Sequence, residues 1–119
     1  MGGDRDHAVA EAVRDLLAGL VRAAVAADPA VAASGRGQAR RGHERLRTLL
    51  GNDAIPEGRL DGLWTAAVRA AEAENLPGEP TRVSLSLQNR CPITSADLTG
   101  PVLDCAALEE RVRGSAATG

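Results

Sequence analysis

The sequence PEGRLDGLWTAAVRAAEAENL, residues 56–76, decides the fold expected for this chain. Its apolar residues recur every three or four positions, which places them on one face of an α-helix. They are Leu60, Leu63, Trp64, Ala67, Val68 and Ala71. Pro56 suits a first helical turn, where its missing N–H is not needed, and Pro77-Gly78 ends the helix. Trp64 is the only aromatic residue of the chain, so we expect it at the centre of the core.

Two further helices are predicted before this one. The first covers residues 6–27, with one apolar face made of Val9, Val13, Leu16, Leu17, Leu20 and Ala24. Gly19 lies in its middle and costs about 1 kcal/mol relative to Ala, unless it marks a close helix crossing. The second covers residues 38–50 and ends at Gly51, after a stretch at 28–37 with the composition of a loop.

A change in pattern follows the third predicted helix. The segment TRVSLSLQ, residues 81–88, alternates apolar and polar side chains, with Val83, Leu85 and Leu87 on one face. Strict alternation is typical of a half-buried strand. The later segment PVLD, residues 101–104, is the candidate partner strand, so the two together predict a β-hairpin.

The predicted fold class is therefore α+β, as a single domain over residues 1–119. Three helices form a bundle over residues 6–76, and a hairpin and a last helix occupy residues 81–113. The last helix is expected at 105–113, and a disordered tail at 114–119.

The composition indicates a thin aliphatic core. Hydrophobic residues make up 44% of the chain, but there is no Phe or Tyr and many of them are Ala, which buries little area. We expect modest stability and a surface for self-association or a protein partner. All 14 basic residues are Arg, a composition typical of a GC-rich bacterial genome, and the net charge is −2. This charge does not indicate binding to nucleic acid or to an anionic membrane.

The sequence also predicts a cytoplasmic protein without a membrane anchor. No apolar run reaches the roughly 18 residues of a membrane span. The N-terminus is charged, unlike a signal peptide, and Asp6 stands where myristoylation needs Ser or Thr. In the reducing cytoplasm, Cys91 and Cys105 are expected as free thiols.

No residue pattern predicts catalysis, a cofactor or a metal site. His7 and His43, with the two Cys residues, lack the spacings of metal ligands, and no catalytic signature occurs. His43 lies at the edge of an apolar helix face, which favours a structural histidine. We expect no enzyme activity and no cofactor.

The segment GRGQARRGHERLR, residues 35–47, concentrates positive charge. It carries Arg36, Arg40, Arg41, Arg45 and Arg47 against one Glu. A helical projection places Arg40 and Arg47 on one flank of the apolar face and Arg41 and Arg45 on the other. This split favours a solvated surface with arginine stems lying along the core. Phosphate contact, and hence nucleic-acid binding through these residues, stays open as an alternative.

The segment CPITSADLTGPV, residues 91–102, resembles the opening of U-box and SP-RING domains, the RING-like modules of ubiquitin and SUMO ligases. The resemblance covers Cys91-Pro92-Ile93-Thr94, the apolar Leu98, Pro101-Val102 and the helix that follows, up to residue 113. It implies that Ile93 and Pro101 contact a ubiquitin-conjugating enzyme. A proline-bounded turn between two short strands explains the same residues.

The function predicted from the sequence is that of a small non-catalytic interaction or accessory module. Its partner surfaces are expected at the edge of the strand that carries Val83, Leu85 and Leu87, and in the groove near Leu98. A reduced U-box-like adaptor using Ile93 and Pro101 and a nucleic-acid-binding protein using residues 36–47 remain alternatives.

Overall fold

A computed structural model describes residues 2–25, 28–51, 55, 57–73, 91, 93–100 and 102–118. These residues form five α-helices: α1 Gly2–Val25, α2 Pro29–Leu50, α3 Glu57–Ala73, α4 Ser95–Thr99 and α5 Cys105–Thr118. None of the described helices is both long enough and apolar enough to cross a membrane.

The predicted α+β class is wrong, because the described part of the chain contains helices and no strand. The expected hairpin fails at its second strand, where residues 102–104 form an irregular link between α4 and α5. Val102 there is 78% exposed, and the Cys105 N–H donates to the Leu103 carbonyl at 3.1 Å, which turns the chain into α5. The strand predicted at 81–88 lies outside the described residues.

A helix start replaces the predicted turn between the two strands. The Thr94 hydroxyl accepts a hydrogen bond from the Asp97 N–H at 3.2 Å, and the Asp97 carboxylate accepts one from the Thr94 N–H at 3.0 Å. This reciprocal pair is a capping box, which satisfies free donors of a first helical turn. The short helix α4 therefore begins where the sequence suggested a hairpin loop.

Helix α1 is the central element, and α2, α3 and α5 all pack against it. Its second half is buried on nearly all sides, unlike the single apolar face that the sequence predicted. The buried residues are Ala12, Val13, Leu16, Leu17, Ala18, Leu20, Val21, Ala23 and Ala24. Arg14, Asp15 and Arg22 form the remaining polar side, and the wide apolar surface places this part of α1 in the interior of the protein.

Helices α1 and α2 cross with their backbones in contact. A Cβ atom on Gly19 would lie 2.5 Å from the Gly35 carbonyl oxygen, and one on Gly35 would lie 2.7 Å from the Gly19 oxygen. A Cβ on Gly42 would lie 2.9 Å from the Leu16 nitrogen. Only glycine fits at these three positions, so the prediction of a close crossing at Gly19 is confirmed.

Helix α2 begins at Pro29, well before its predicted start at residue 38. The Asp28 carboxylate caps this earlier start by accepting from the Ala30 N–H at 2.8 Å, and Pro29 occupies the first turn. Residues 29–37 are therefore helical, although their composition resembles a loop. The C-terminal glycine was predicted correctly, since Gly51 has a φ of 60° and donates to the Arg47 carbonyl at 3.0 Å.

The predicted core of α3 is confirmed for Leu60, Trp64, Ala67 and Val68, whereas Leu63 is half-buried. Trp64 is fully buried, together with Leu60 and Ala67. Leu108 and Val112 of α5 point inward as predicted, and α5 continues to Thr118, past its predicted end at residue 113.

Candidate functional site

Helix α2 carries polar side chains on both flanks of its buried face, and each flank meets a different neighbour. On the flank toward α5, Arg36 Nε donates to Glu109 Oε2 at 2.8 Å and Arg36 Nη2 donates to Oε1 at 3.0 Å. Glu109 is only 1% exposed. The hydrogen bonds and the charge of Glu109 raise the pKa of Arg36. This two-pronged ion pair joins the middle of α2 to α5.

The same flank holds the buried thiol of Cys105. Burial raises the pKa of this thiol, and the nearby charge of Arg40 opposes the shift only in part. A raised pKa keeps the sulfur protonated at neutral pH, which lowers its reactivity as a nucleophile. Both Cys91 and Cys105 are free thiols, as predicted.

His43 completes this side of α2 as a structural residue. It is buried, and its Nε2 lies 2.8 Å from the Gly100 carbonyl oxygen, which can only accept a hydrogen bond. The prediction of a satisfied structural histidine is confirmed. Among the described residues, no group of three His, Cys, Asp or Glu side chains is placed to hold a metal ion.

The opposite flank of α2 forms a polar cleft against α1. This cleft has a volume of about 470 Å³ and is lined by Asp15, Gln38, Arg41, Gly42 and Arg45. We call it the α1–α2 cleft. Gly42 has no side chain to fill the cleft, and its close contact with the α1 backbone brings the two helices together there.

Gln38 forms a fixed wall of the α1–α2 cleft. Its Oε1 accepts a hydrogen bond from Arg22 Nη1 at 2.6 Å, and its Nε2 donates to the Asp15 carbonyl at 3.2 Å. Because both ends of the amide are engaged by α1, its orientation is set.

The two arginines of the cleft differ in their surroundings. Arg45 lies 3.5 Å from a Glu11 carboxylate oxygen and 3.9 Å from an Asp15 oxygen, so two acidic groups of α1 share its charge. Arg41 has no hydrogen bond or ion pair with any described residue. Its Nη1 lies 3.4 Å from the place where a Cβ on Gly37 would be. The Arg41 side chain therefore extends along the helix toward the N-terminus, over the position where Gly37 has no side chain.

The positions of Arg40, Arg41 and Arg45 agree with the predicted split into two flanks. Arg40 lies close enough to Cys105 to affect its pKa, whereas Arg41 and Arg45 line the α1–α2 cleft. Arg36, which the alternative of nucleic-acid binding included, forms an ion pair with Glu109. Arg47 is exposed. The five residues therefore do not form one basic patch.

The predicted partner-binding residues fall in two groups. Ile93 and Leu98 are fully buried in the core of the chain rather than on its surface. Pro101 lies outside the described residues, and so do Val83, Leu85 and Leu87. No observation tests the resemblance to U-box and SP-RING domains, which stays a prediction.

No single segment of the sequence indicates the α1–α2 cleft directly, although an indirect signal is present. Small residues recur at helical spacing in both helices, at Ala12, Gly19 and Ala23 of α1 and at Gly35, Ala39 and Gly42 of α2. Matching stripes of this kind predict a close crossing, and hence which polar side chains meet along its edge. Comparison of the chain with protein-family models, curated proteins and solved structures finds no match.

Proposed function

We propose that this chain is a small non-catalytic module that binds a protein partner through the α1–α2 cleft. The observation that carries the proposal is the guanidinium of Arg41, which lines the cleft and has no polar partner among the described residues. Arginine is enriched among the residues that dominate binding energy at protein interfaces, because one planar group makes several directed hydrogen bonds.

The polar residues on the other flank of α2 support the same assignment. Glu109 holds Arg36, His43 holds the Gly100 carbonyl, and Cys105 is a buried thiol with a raised pKa. Each of these groups stabilises the packing of α2 against the C-terminal helices. These interactions stabilise a rigid scaffold. A rigid scaffold suits a binding surface because little conformational entropy is lost on association.

The shape of the cleft favours a protein surface over a small molecule. Pockets for small molecules enclose most of the ligand and have mainly apolar walls. Here Arg41 and Arg45 are exposed, and the side chain of Asp15 is 45% exposed. An open, charged trough along two helices is better filled by side chains that project from a second protein.

The test is recovery of a partner from the native host with the tagged full chain, followed by binding of the purified partner in a calorimeter. Arg41→Glu should abolish binding. The control, Arg69→Glu, changes an exposed arginine of α3 that does not line the cleft, and it should bind as the wild type does. Equal partner binding by Arg41→Glu and the wild type, with both variants folded by circular dichroism, would contradict the proposal.

A further inference from the structure

We infer that the partner presents an acidic side chain to Arg41, so that the α1–α2 cleft is a carboxylate-recognition site. This inference rests on the proposed function and specifies the chemistry of its partner. The guanidinium fork matches a carboxylate with two parallel hydrogen bonds, and such charge-assisted pairs are among the stronger polar contacts in proteins.

Arg41 is the charged group of the cleft that lacks an ion-pair partner among the described residues. The positive charge of Arg45 already faces two carboxylates, those of Glu11 and Asp15. Arg41 is on the same flank of α2, one helical turn earlier, and it forms no ion pair with a described residue, although Asp15 lines the same cleft. The two arginines and the two carboxylates sum to zero charge, but both carboxylates lie beside Arg45. Arg41 is therefore the guanidinium of the cleft that has no carboxylate of a described residue within ion-pair distance.

The position of Arg41 also favours tight recognition. Its guanidinium lies over the backbone at Gly37, with Nη1 3.4 Å from the place where a Cβ would be, which is an ordinary van der Waals distance. Contact with the helix surface limits the conformations of a long side chain before binding. Less conformational entropy is then lost when the partner's carboxylate arrives.

A carboxylate fits this cleft better than a nucleic-acid backbone does. Nucleic-acid binding neutralises several phosphates at once, and affinity grows with the number of basic contacts. Within the cleft, the carboxylates of Glu11 and Asp15 stand beside Arg45 and would repel a chain of phosphates. A protein side chain instead delivers a single negative charge at one point, and the rest of the partner's surface can avoid these two acids.

The experiment is a titration of the isotope-labelled full chain with a helical alanine-based peptide that has blocked termini and a single Glu at its centre. The matched peptide has Gln in place of this Glu. Amide chemical shifts are followed at about 0.15 M salt, where long-range attraction is screened. The chain itself carries a net charge of −2, so general attraction does not favour the acidic peptide.

Saturable binding of the Glu peptide is expected, with shifts centred on residues 37–45 and a weaker response to the Gln peptide. Arg41→Gln should weaken binding by at least about tenfold, which is what one charged hydrogen bond contributes. Arg69→Gln should leave binding within about twofold of the wild type, since surface substitutions away from a site have small effects.

Three results would overturn carboxylate recognition. They are equal affinity for the two peptides, no loss in Arg41→Gln, or tighter binding of a DNA duplex that depends on Arg41. The proposed function fails separately. A host partner that binds equally well to Arg41→Glu refutes the use of this cleft, whereas a partner that needs Arg41 but ignores acidic peptides refutes only the chemistry assigned here.

Discussion

The same substitution, Gly to Ala, should have opposite effects on the stability of this protein at two helical positions. At Gly19 the added methyl group would lie 2.5 Å from the Gly35 oxygen and 2.6 Å from the Ala39 nitrogen. Both are backbone atoms, so neither can swing away. Reaching an ordinary contact of 3.4 Å requires α1 and α2 to separate locally by about 0.9 Å. At Gly62 of α3, nothing lies within 4 Å of an added Cβ.

The expected magnitudes follow from two effects. Alanine is favoured over glycine inside a helix by about 1 kcal/mol, and this gain applies at both positions. Forcing an extra methyl group into a packed site costs about 1–3 kcal/mol, and this cost applies only at Gly19. Gly62→Ala should therefore raise the free energy of unfolding by about 1 kcal/mol. Gly19→Ala should lower it by up to about 2 kcal/mol, and the two variants should differ by about 1–3 kcal/mol.

Urea unfolding measures both variants through a built-in probe. Trp64 is the only aromatic residue and is fully buried, so its fluorescence reports exposure of the core. Circular dichroism at the same urea concentrations checks that the loss of helix coincides with the exposure of Trp64. If Gly19→Ala is as stable as Gly62→Ala, the backbones of α1 and α2 are not in contact, and the close crossing described above is incorrect.

Three further predictions concern the core, the buried ion pair and the α4 cap. Trp64→Ala should lower the free energy of unfolding by about 3–5 kcal/mol in urea followed by circular dichroism, because it empties a large buried volume; a loss below about 1 kcal/mol would place Trp64 outside the core. Arg36→Met should lower the urea midpoint by removing the two guanidinium hydrogen bonds to the buried Glu109 carboxylate, and the double variant with Glu109→Leu should recover it; a double variant less stable than Arg36→Met would refute this. Partial burial raises the pKa of Asp97, but hydrogen bonds with Thr94 and the contact with Arg111 outweigh it and lower the pKa overall. The Asp97 carboxylate therefore stabilises the fold fully above its unfolded pKa of about 3.9 and loses this effect as pH falls below that value. In a plot of melting temperature against pH, Asp97→Asn should make the decrease at acidic pH smaller, and an unchanged decrease would contradict this.

Sequence reasoning succeeded where local pattern and tertiary structure agree. Helix α3 has a periodic apolar face, a proline near its start and one large side chain, and each of these points to the same helix with Trp64 inward. It failed at residues 29–37, where Ala, Ser and Gly have the composition of a loop. Those residues are helical because Asp28 caps them and because Gly35 fits against Gly19 across the crossing. Contact with α1 outweighs the low helix propensity of Gly35 and Gly37, and the alanines of this segment favour a helix.

The α1–α2 cleft could not be predicted because it belongs to no single segment. Asp15 and Gln38 are far apart in sequence, and they meet because the glycine contacts fix how α2 lies along α1. The register of that crossing decides that Arg45 pairs with acids of α1 while Arg41, one turn earlier, forms no ion pair with a described residue. The same glycines that bring the helices together thus leave one arginine unmatched at their edge. A substitution at Gly42 that shifts the register of the crossing should therefore alter partner binding at Arg41, although Arg41 itself is unchanged. This expectation links the packing of the fold to the function proposed for it.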